Sequence, residues 1–359
     1  MSAPESIDRI LLVRTSHLGD CVRALPLARA LLEQWPGVEV GWAIQPEYAP
    51  LLEGLAAHGR QLRTLAIPRR EGATGTWRGL RQVRAFAPDW VVDVQGNAKS
   101  ALVTAAASAA VRLGPEARHC REALPGRWTL NRRAPSASDA GPHARDRVTE
   151  LAVALGLELA GVDEGPQLRE DELDQARERA TARFADAPPR LAYVANSGDA
   201  RAWPAERWVA LIERCTARGL PVAFYGGIQE LELMKQLART VSTRDAVHVQ
   251  TEPLPLRQFA SLARACAERG GRLLGSDTGP THLAASVGLP VALLSGPTDP
   301  RRTGVWPDPR RDPESPHRII GYDPPWIRGE SHRASTWEWP GPPAADIEID
   351  QALSAWLDG

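Results

Sequence analysis

The chain has 359 residues, of which 43% are hydrophobic and 24% charged, and its net charge is -1. That length accommodates two domains with full cores, and the composition is that of a globular protein. Near-neutrality argues against a general nucleic-acid binder, so any basic surface is local.

No apolar run approaches the roughly 18 residues of a spanning helix, and Met1 to Ser6 lack the charged and apolar regions of a signal peptide. The protein is therefore expected to stay in the cytoplasm, touching the membrane at most from its inner face. Cys21, Cys120, Cys215 and Cys266 are far apart, with neither CxxC spacing nor a Cys/His cluster. Reduced, buried thiols are expected, with no metal and no cofactor. Of the 43 basic residues only Lys99 and Lys235 are lysine, which draws attention to each.

In chain order, Arg9 to Arg14 is a continuous apolar run of the kind found in a central parallel strand. A Ser/Gly turn, Thr15 to Val22, leads into helical spacing over Ala24–Leu32. Asp20 lies where strand passes to helix, at the edge of an α/β sheet where ligands bind, so it is either a helix cap or a general base. Val38–Ile44 reads as a strand, Tyr48–Ala57 as a helix, Arg63–Ile67 as a strand and Trp77–Phe86 as a helix. Between the last two, Pro68 to Arg78 reads as a Gly-rich loop in which Arg69, Arg70 and Arg78 form a solvated surface or a basic clamp for an anionic acceptor.

Trp90–Val94 repeats the buried strand, and a helix follows through Ala110. Lys99 falls at that helix start, where a cation opposes the macrodipole, so a compact charge facing an anion is the expectation. Arg121-Glu122 and the stretch Gly126 to Arg133 read as an irregular basic segment, and His143 begins a helix ending near Gly156. Polar residues from Gly161 to Asp171 mark a linker, giving a first domain over 1–165. The second, over 166–345, has a helix Asp171–Asp186, a strand Leu191–Ala195, a helix Ala205–Arg218 and a strand Pro221–Tyr225. Ser197 and Arg201 can hold a phosphate at a helix start. Glu230 suits a ribose diol but is equally an ordinary helix-start glutamate.

A helix over Leu256–Glu268 precedes the densest signal, Gly275-Ser-Asp-Thr-Gly-Pro-Thr-His-Leu-Ala-Ala, followed by Gly296-Pro-Thr-Asp-Pro. Thr278 and Gly279 open a short helix whose unpaired N–H groups attract an anion, and Asp277 and His282 flank the turn. Residues 346–359 read as a closing helix. Two successive βα series with polar turns at strand ends imply an α/β protein of two Rossmann-like domains facing a central cleft.

Gly19-Asp20, Asp93-Val-Gln-Gly through Lys99-Ser100, Arg121-Glu122, Arg201-Ala-Trp-Pro, Asp277-Thr-Gly through His282, and Gly296-Pro-Thr-Asp-Pro occur in an order that resembles glycosyltransferase family 9. The resemblance runs from about residue 9 to 305. It implies a GT-B fold and inverting, metal-independent transfer of heptose from ADP-heptose to a Kdo hydroxyl of a Kdo-lipid A-like acceptor. In that frame Asp20 matches the general base. Ser197, Arg201, Glu230, Asp277, Thr278, Gly279 and His282 match donor-binding positions. Arg69, Arg70, Lys99 and Arg121 match acceptor-side positions. Arg201 stands where relatives commonly carry lysine, and the Pro- and Trp-rich tail after Pro300 departs from the family pattern. The alternatives are another family 9 transferase with a different donor or acceptor, a nucleotide-sugar epimerase of GT-B shape, and a silent binding protein.

Overall fold

Runs of consecutive apolar residues become strands covered on both faces, and such strands need helices on both sides of their sheet. The computed structural model describes residues 7–117, 120, 122–136, 143–195, 201–241, 246–296, 298–321 and 344–357. In it the chain divides into two compact units, one ending at Gln167 and the other starting at Leu168.

The first unit runs β1 (Arg9–Val13), α1 (Leu18–Gln34), β2 (Glu39–Ile44), a small hairpin of β3 (Ala56–Ala57) and β4 (Arg60–Gln61), then β5 (Arg63–Ala66). It continues with α2 (Gly72–Phe86), β6 (Trp90–Asp93), α3 (Ala98–Ala107), β7 (Val111–Gly114), α4 (Ala123–Thr129), β8 (Arg132–Arg133) and α5 (Ala144–Ala154). Its main sheet has the order β5-β2-β1-β6-β7-β8, every described pairing being parallel. Ile10, Leu11, Leu12 and Val13 are fully buried at its centre.

The second unit comprises α6 (Glu170–Phe184), β9 (Arg190–Val194), α7 (Ala205–Ala217), β10 (Val222–Gly226), α8 (Leu231–Ala238), β11 (Val247–Val249) and α9 (Leu256–Ala267). It ends with β12 (Arg272–Ser276), α10 (Gly279–Ser286), β13 (Val291–Ser295), α11 (Pro300–Thr303), β14 (Arg318–Gly321) and α12 (Ile349–Leu357). The order β11-β10-β9-β12-β13-β14 repeats that of the first unit. In each sheet the chain reverses direction beside the first strand, at β1/β6 and at β9/β12. Such switch points open a crevice at the carboxyl edge.

Packing explains the local departures from expectation. Tyr48–Ala57 is no α-helix. Pro46 and Pro50 remove donors, leaving a 3-10 turn over Pro46–Leu52, and Gly54 and Gly59 at φ 79° and 74° then bend the chain into the hairpin. The Gly-rich stretch after Glu71 is helix rather than loop. A Cβ on Gly75 would lie 2.3 Å from the Pro68 carbonyl oxygen, and one on Gly79 2.8 Å from that of Ala66. Glycine lets α2 lie against the strand it follows. The basic segment expected to be irregular contains α4 and β8. Pro204 occupies the N-cap position of α7, one residue before the helix.

The second core is a chain of edge-to-face rings: Trp203 on Trp208 at 4.9 Å, Trp208 on Phe224 at 6.2 Å and Phe224 on Trp356 at 6.4 Å. Trp356 also donates its indole N–H to the Arg272 carbonyl at 3.2 Å, which docks α12 on β12. All four cysteines are buried and unpaired, and burial pushes the Cys21 thiol up to about 12.

Candidate active site

At the switch point of the first unit, β1 runs out into Arg14, Thr15 and Ser16, all buried. Asp20 lies in the first turn of α1, while His17 holds the N-cap position. The cap reading of Asp20 is thus replaced. Its side chain, 27% exposed, is gripped by two guanidinium groups: Arg14 Nη2 donates to Oδ2, and Arg23 Nη1 donates to Oδ1 at 3.2 Å. Burial, together with Arg147 and Arg23 nearby, lowers Arg14 to about 9. At neutral pH it remains a cation.

The neighbouring loop after β6 is built around Asp93, which is fully covered. Its carboxylate accepts from Gln95 N at 2.9 Å, Gly96 N at 2.9 Å and Ser100 Oγ at 2.8 Å. Burial raises its pKa, and these hydrogen bonds oppose the rise. Gly96 sits at φ 66°, where a Cβ would also lie 2.9 Å from Cys120 Sγ. Gln95 Oε1 accepts from Thr15 N at 2.9 Å and Thr15 Oγ1 at 3.0 Å, tying the two loops together. Asn97 caps α3 by accepting from Lys99 N and Ser100 N, and Lys99 presents an exposed ammonium from that first turn. Arg69 and Arg70 lie in a 3-10 turn before α2, with Arg70 Nε 3.0 Å from Glu47 Oε1.

The second unit gathers different chemistry at its carboxyl edge. Tyr193 lies one residue before the end of β9, Tyr225 and Gly226 end β10, and Phe259 comes from α9. Together with Leu254, Leu256 and Pro280 they line a pocket of about 260 Å³, including space open to solvent. The Tyr193 and Tyr225 rings meet Phe259 edge-on at 5.2 and 6.1 Å. Beside it, Glu230 is 8% exposed and its Oε2 accepts from Gly227 N at 2.9 Å. Burial and the Glu230 charge push the Tyr193 phenol upward. Glu230 thus braces its own turn and borders an aromatic slot.

Across the slot, α10 opens with Thr278 at the N-cap position and Pro280 in its first turn. Pro280 has no N–H, and His282 N donates to the Thr278 carbonyl at 3.3 Å. Gly279 and Thr281 supply the remaining first-turn N–H groups. Asp277 does not cap this helix. Its Oδ1 lies 2.7 Å from His282 Nε2 and its Oδ2 accepts from Thr303 Oγ1 at 2.8 Å, with Asp277 and His282 both buried. Behind them, His317 Nδ1 accepts from Val291 N at 3.1 Å and Nε2 donates to the Trp306 carbonyl at 3.1 Å, which fixes one neutral tautomer. Burial lowers that imidazole to about 4.

Of the expected positions, Glu230, Asp277, Thr278, Gly279 and His282 thus gather at one sheet edge, and Arg201 is half-buried in the turn before α7. Ser197 and Arg121 lie outside the described residues. Sequence reasoning assigned no role to Arg14 and Arg23, to Thr303, or to the aromatic slot. Spacing offered one usable signal, since Arg23 follows Asp20 by three positions on the same helix.

A family model described as glycosyltransferase family 9 (heptosyltransferase) matches residues 76–312. The chain is 29% identical over 314 residues to lipopolysaccharide heptosyltransferase 1 of Pseudomonas aeruginosa, covering 83% of this chain and 81% of that one. An Escherichia coli heptosyltransferase solved with ADP is similar at 25% identity and a TM-score of 0.63, over 87% of this chain and 92% of its own. A family 9 glycosyltransferase from Veillonella parvula has a TM-score of 0.73 at 18% identity, over 98% and 97% of the two chains, which is a likeness of fold. The two sheets of common strand order are those of a GT-B protein. The chain belongs to glycosyltransferase family 9 and is a glycosyltransferase.

Proposed function

We propose that this chain transfers heptose from ADP-heptose to a Kdo hydroxyl of the lipopolysaccharide inner core, with inversion, without a metal and with Asp20 as general base. The observation that carries the reading is the aromatic slot bordered by Glu230 and by the start of α10. It is supported by relatives named lipopolysaccharide heptosyltransferase 1 and by similar structures solved with ADP and with ADP-2-deoxy-2-fluoro heptose. Adenine stacks among Tyr193, Tyr225 and Phe259, and the Glu230 carboxylate accepts from the ribose diol. The diphosphate meets Gly279 and Thr281 N–H with Arg201, and Asp277 accepts from donor-sugar hydroxyls.

In the reaction the acceptor oxygen forms a bond to the anomeric carbon, its proton passes to Asp20, and the bond to the β-phosphate oxygen breaks with the electron pair leaving on ADP. Arg14 and Arg23 hold both oxygens of Asp20, so the hydroxyl meets a base already oriented. Domain 1–165 takes the acceptor and domain 166–345 the nucleotide sugar. The protein works from the cytoplasm on a lipid-anchored substrate, and no helix among the described residues is long and apolar enough to cross a membrane.

The direct test is incubation with ADP-heptose and a Kdo-containing lipid A precursor, read by mass spectrometry. A product heavier by one heptose is expected. Free sugar or an isomerised donor, with the acceptor unchanged, would replace this reading with the epimerase alternative. Activity is expected to survive excess EDTA, because helix-start N–H groups and an arginine stabilise the leaving diphosphate. A strict requirement for added Mg²⁺ or Mn²⁺ would sink that part.

Lys99 bears on the acceptor side. In an arginine-rich chain its compact ammonium implies a site that does not accept a planar fork. Lys99→Arg is expected to raise acceptor KM by a few fold, and Lys99→Ala by about tenfold or more, with donor KM little changed. Parent-like kinetics for both variants would reduce Lys99 to a solvated residue.

A further inference from the structure

We propose that the outer face of α2, α3 and α4 docks the first unit onto an anionic phospholipid bilayer. The sheet order makes β5 to β6, β6 to β7 and β7 to β8 step the same way across the sheet, opposite to the step from β1 to β2. Right-handed crossovers then place α2, α3 and α4 on one face and α1 on the other. The packing agrees, with α2 against α3, α3 against α4, and α1 against α5.

Those three helices carry four of the six exposed large hydrophobic side chains among the described residues: Trp77 at 59%, Leu102 at 51%, Leu124 at 64% and Trp128 at 83% exposure. The remaining two, Val153 and Ile228, lie on α5 and in the second unit. On α2 the buried face is Gly75, Gly79, Val83 and Phe86. Trp77, Arg81 and Arg84, spaced by four and three, fall on the opposite side. Arg81 lies over the Trp77 ring at 4.8 Å. On α4, Leu124 and Trp128 are one turn apart, with Arg127 beside them.

The charge on this face is of one sign. Arg78, Arg81, Arg84, Lys99 and Arg127 belong to the three helices, and no Asp or Glu does, in a chain whose net charge is -1. The flanking acids are engaged: Glu71 with Arg78 at 3.1 Å, and Glu122 with the Ala98 N–H at 2.8 Å. Exposed tryptophans among arginines suit the headgroup layer, where an indole sits at the polar boundary and long cationic stems reach the phosphates. A purely polar, acidic surface would satisfy the cations but leave the two tryptophans and two leucines unmatched.

The proposal deepens the reading of a lipid-anchored acceptor, yet vesicle binding needs neither donor nor acceptor and so stands or falls separately. The full-length protein is sedimented with vesicles of phosphatidylcholine and phosphatidylglycerol in equal parts, and with phosphatidylcholine alone. Partition at least about tenfold stronger on the mixed vesicles, weakening with salt, is expected. Trp77→Ala with Trp128→Ala should lose at least about tenfold of that partition, and Arg81→Gln with Arg84→Gln and Arg127→Gln a similar factor. Melting temperatures confirm that these surface variants fold. Absence of binding by the parent, or parent-like binding by both variants, overturns the proposal. Self-association that both variants abolish, without vesicle binding, would assign the face to a second copy of the chain.

Discussion

Changing Asp20 to asparagine is expected to lower kcat for heptosyl transfer by about 10²- to 10⁴-fold, the usual contribution of a positioned base. The Kd for ADP-heptose should stay within about twofold of the parent's, because the base acts on the acceptor. Asparagine keeps one oxygen for Arg14 or Arg23 and leaves the other guanidinium without its carboxylate partner. Stability therefore also falls, and turnover must be compared well below both melting temperatures. Single-turnover kinetics with saturating donor, alongside calorimetric donor titration, separate the two effects. Near-parental turnover would remove Asp20 from the chemistry and leave it as an anchor for two buried arginines.

Asp277→Ala carries the second large expectation. The change strips an acceptor from His282 and from Thr303, each part of the 2.7 and 2.8 Å contacts that hold the carboxylate. Each hydrogen bond lost from the buried imidazole and from the half-buried hydroxyl costs about 0.5–1.5 kcal/mol. A clear drop in melting temperature is therefore expected together with a fall of about 10- to 10²-fold in kcat/KM for ADP-heptose. Thr303→Val should reproduce a smaller part of the kinetic loss, and Thr303→Ser should restore it. If Asp277→Ala lowers stability but donor kinetics hold, Asp277 is a brace between two turns and not a sugar contact.

The alternation of strands and helices was legible wherever burial dictates residue type. β1, β6, β9, β12 and β13 are continuous apolar runs because both their faces are covered. Legibility failed where backbone packing overrode pattern. Gly75 and Gly79 look like loop residues until the Pro68 and Ala66 carbonyls beneath them are known, and Pro46 with Pro50 turns a helical pattern into a 3-10 turn. Short elements such as β11 and β14 carry too few residues to show a period. The site followed the same division. Asp277 and His282 stand five residues apart and could be paired by eye, whereas Thr303 reaches Asp277 across 26 positions. Asp93 marked its motif correctly, but as the inner brace of a turn.

The docking of α12 has a consequence for synthesis. Phe224 and the β12 backbone find Trp356 only after more than 80 further residues have been made. The aromatic row of the second unit therefore stays incomplete on the ribosome until residues 349–357 emerge. The first unit's sheet, whose strands all lie before residue 134, has by then had its sequence available for much longer. Vectorial translation thus gives the two sheets different waiting times.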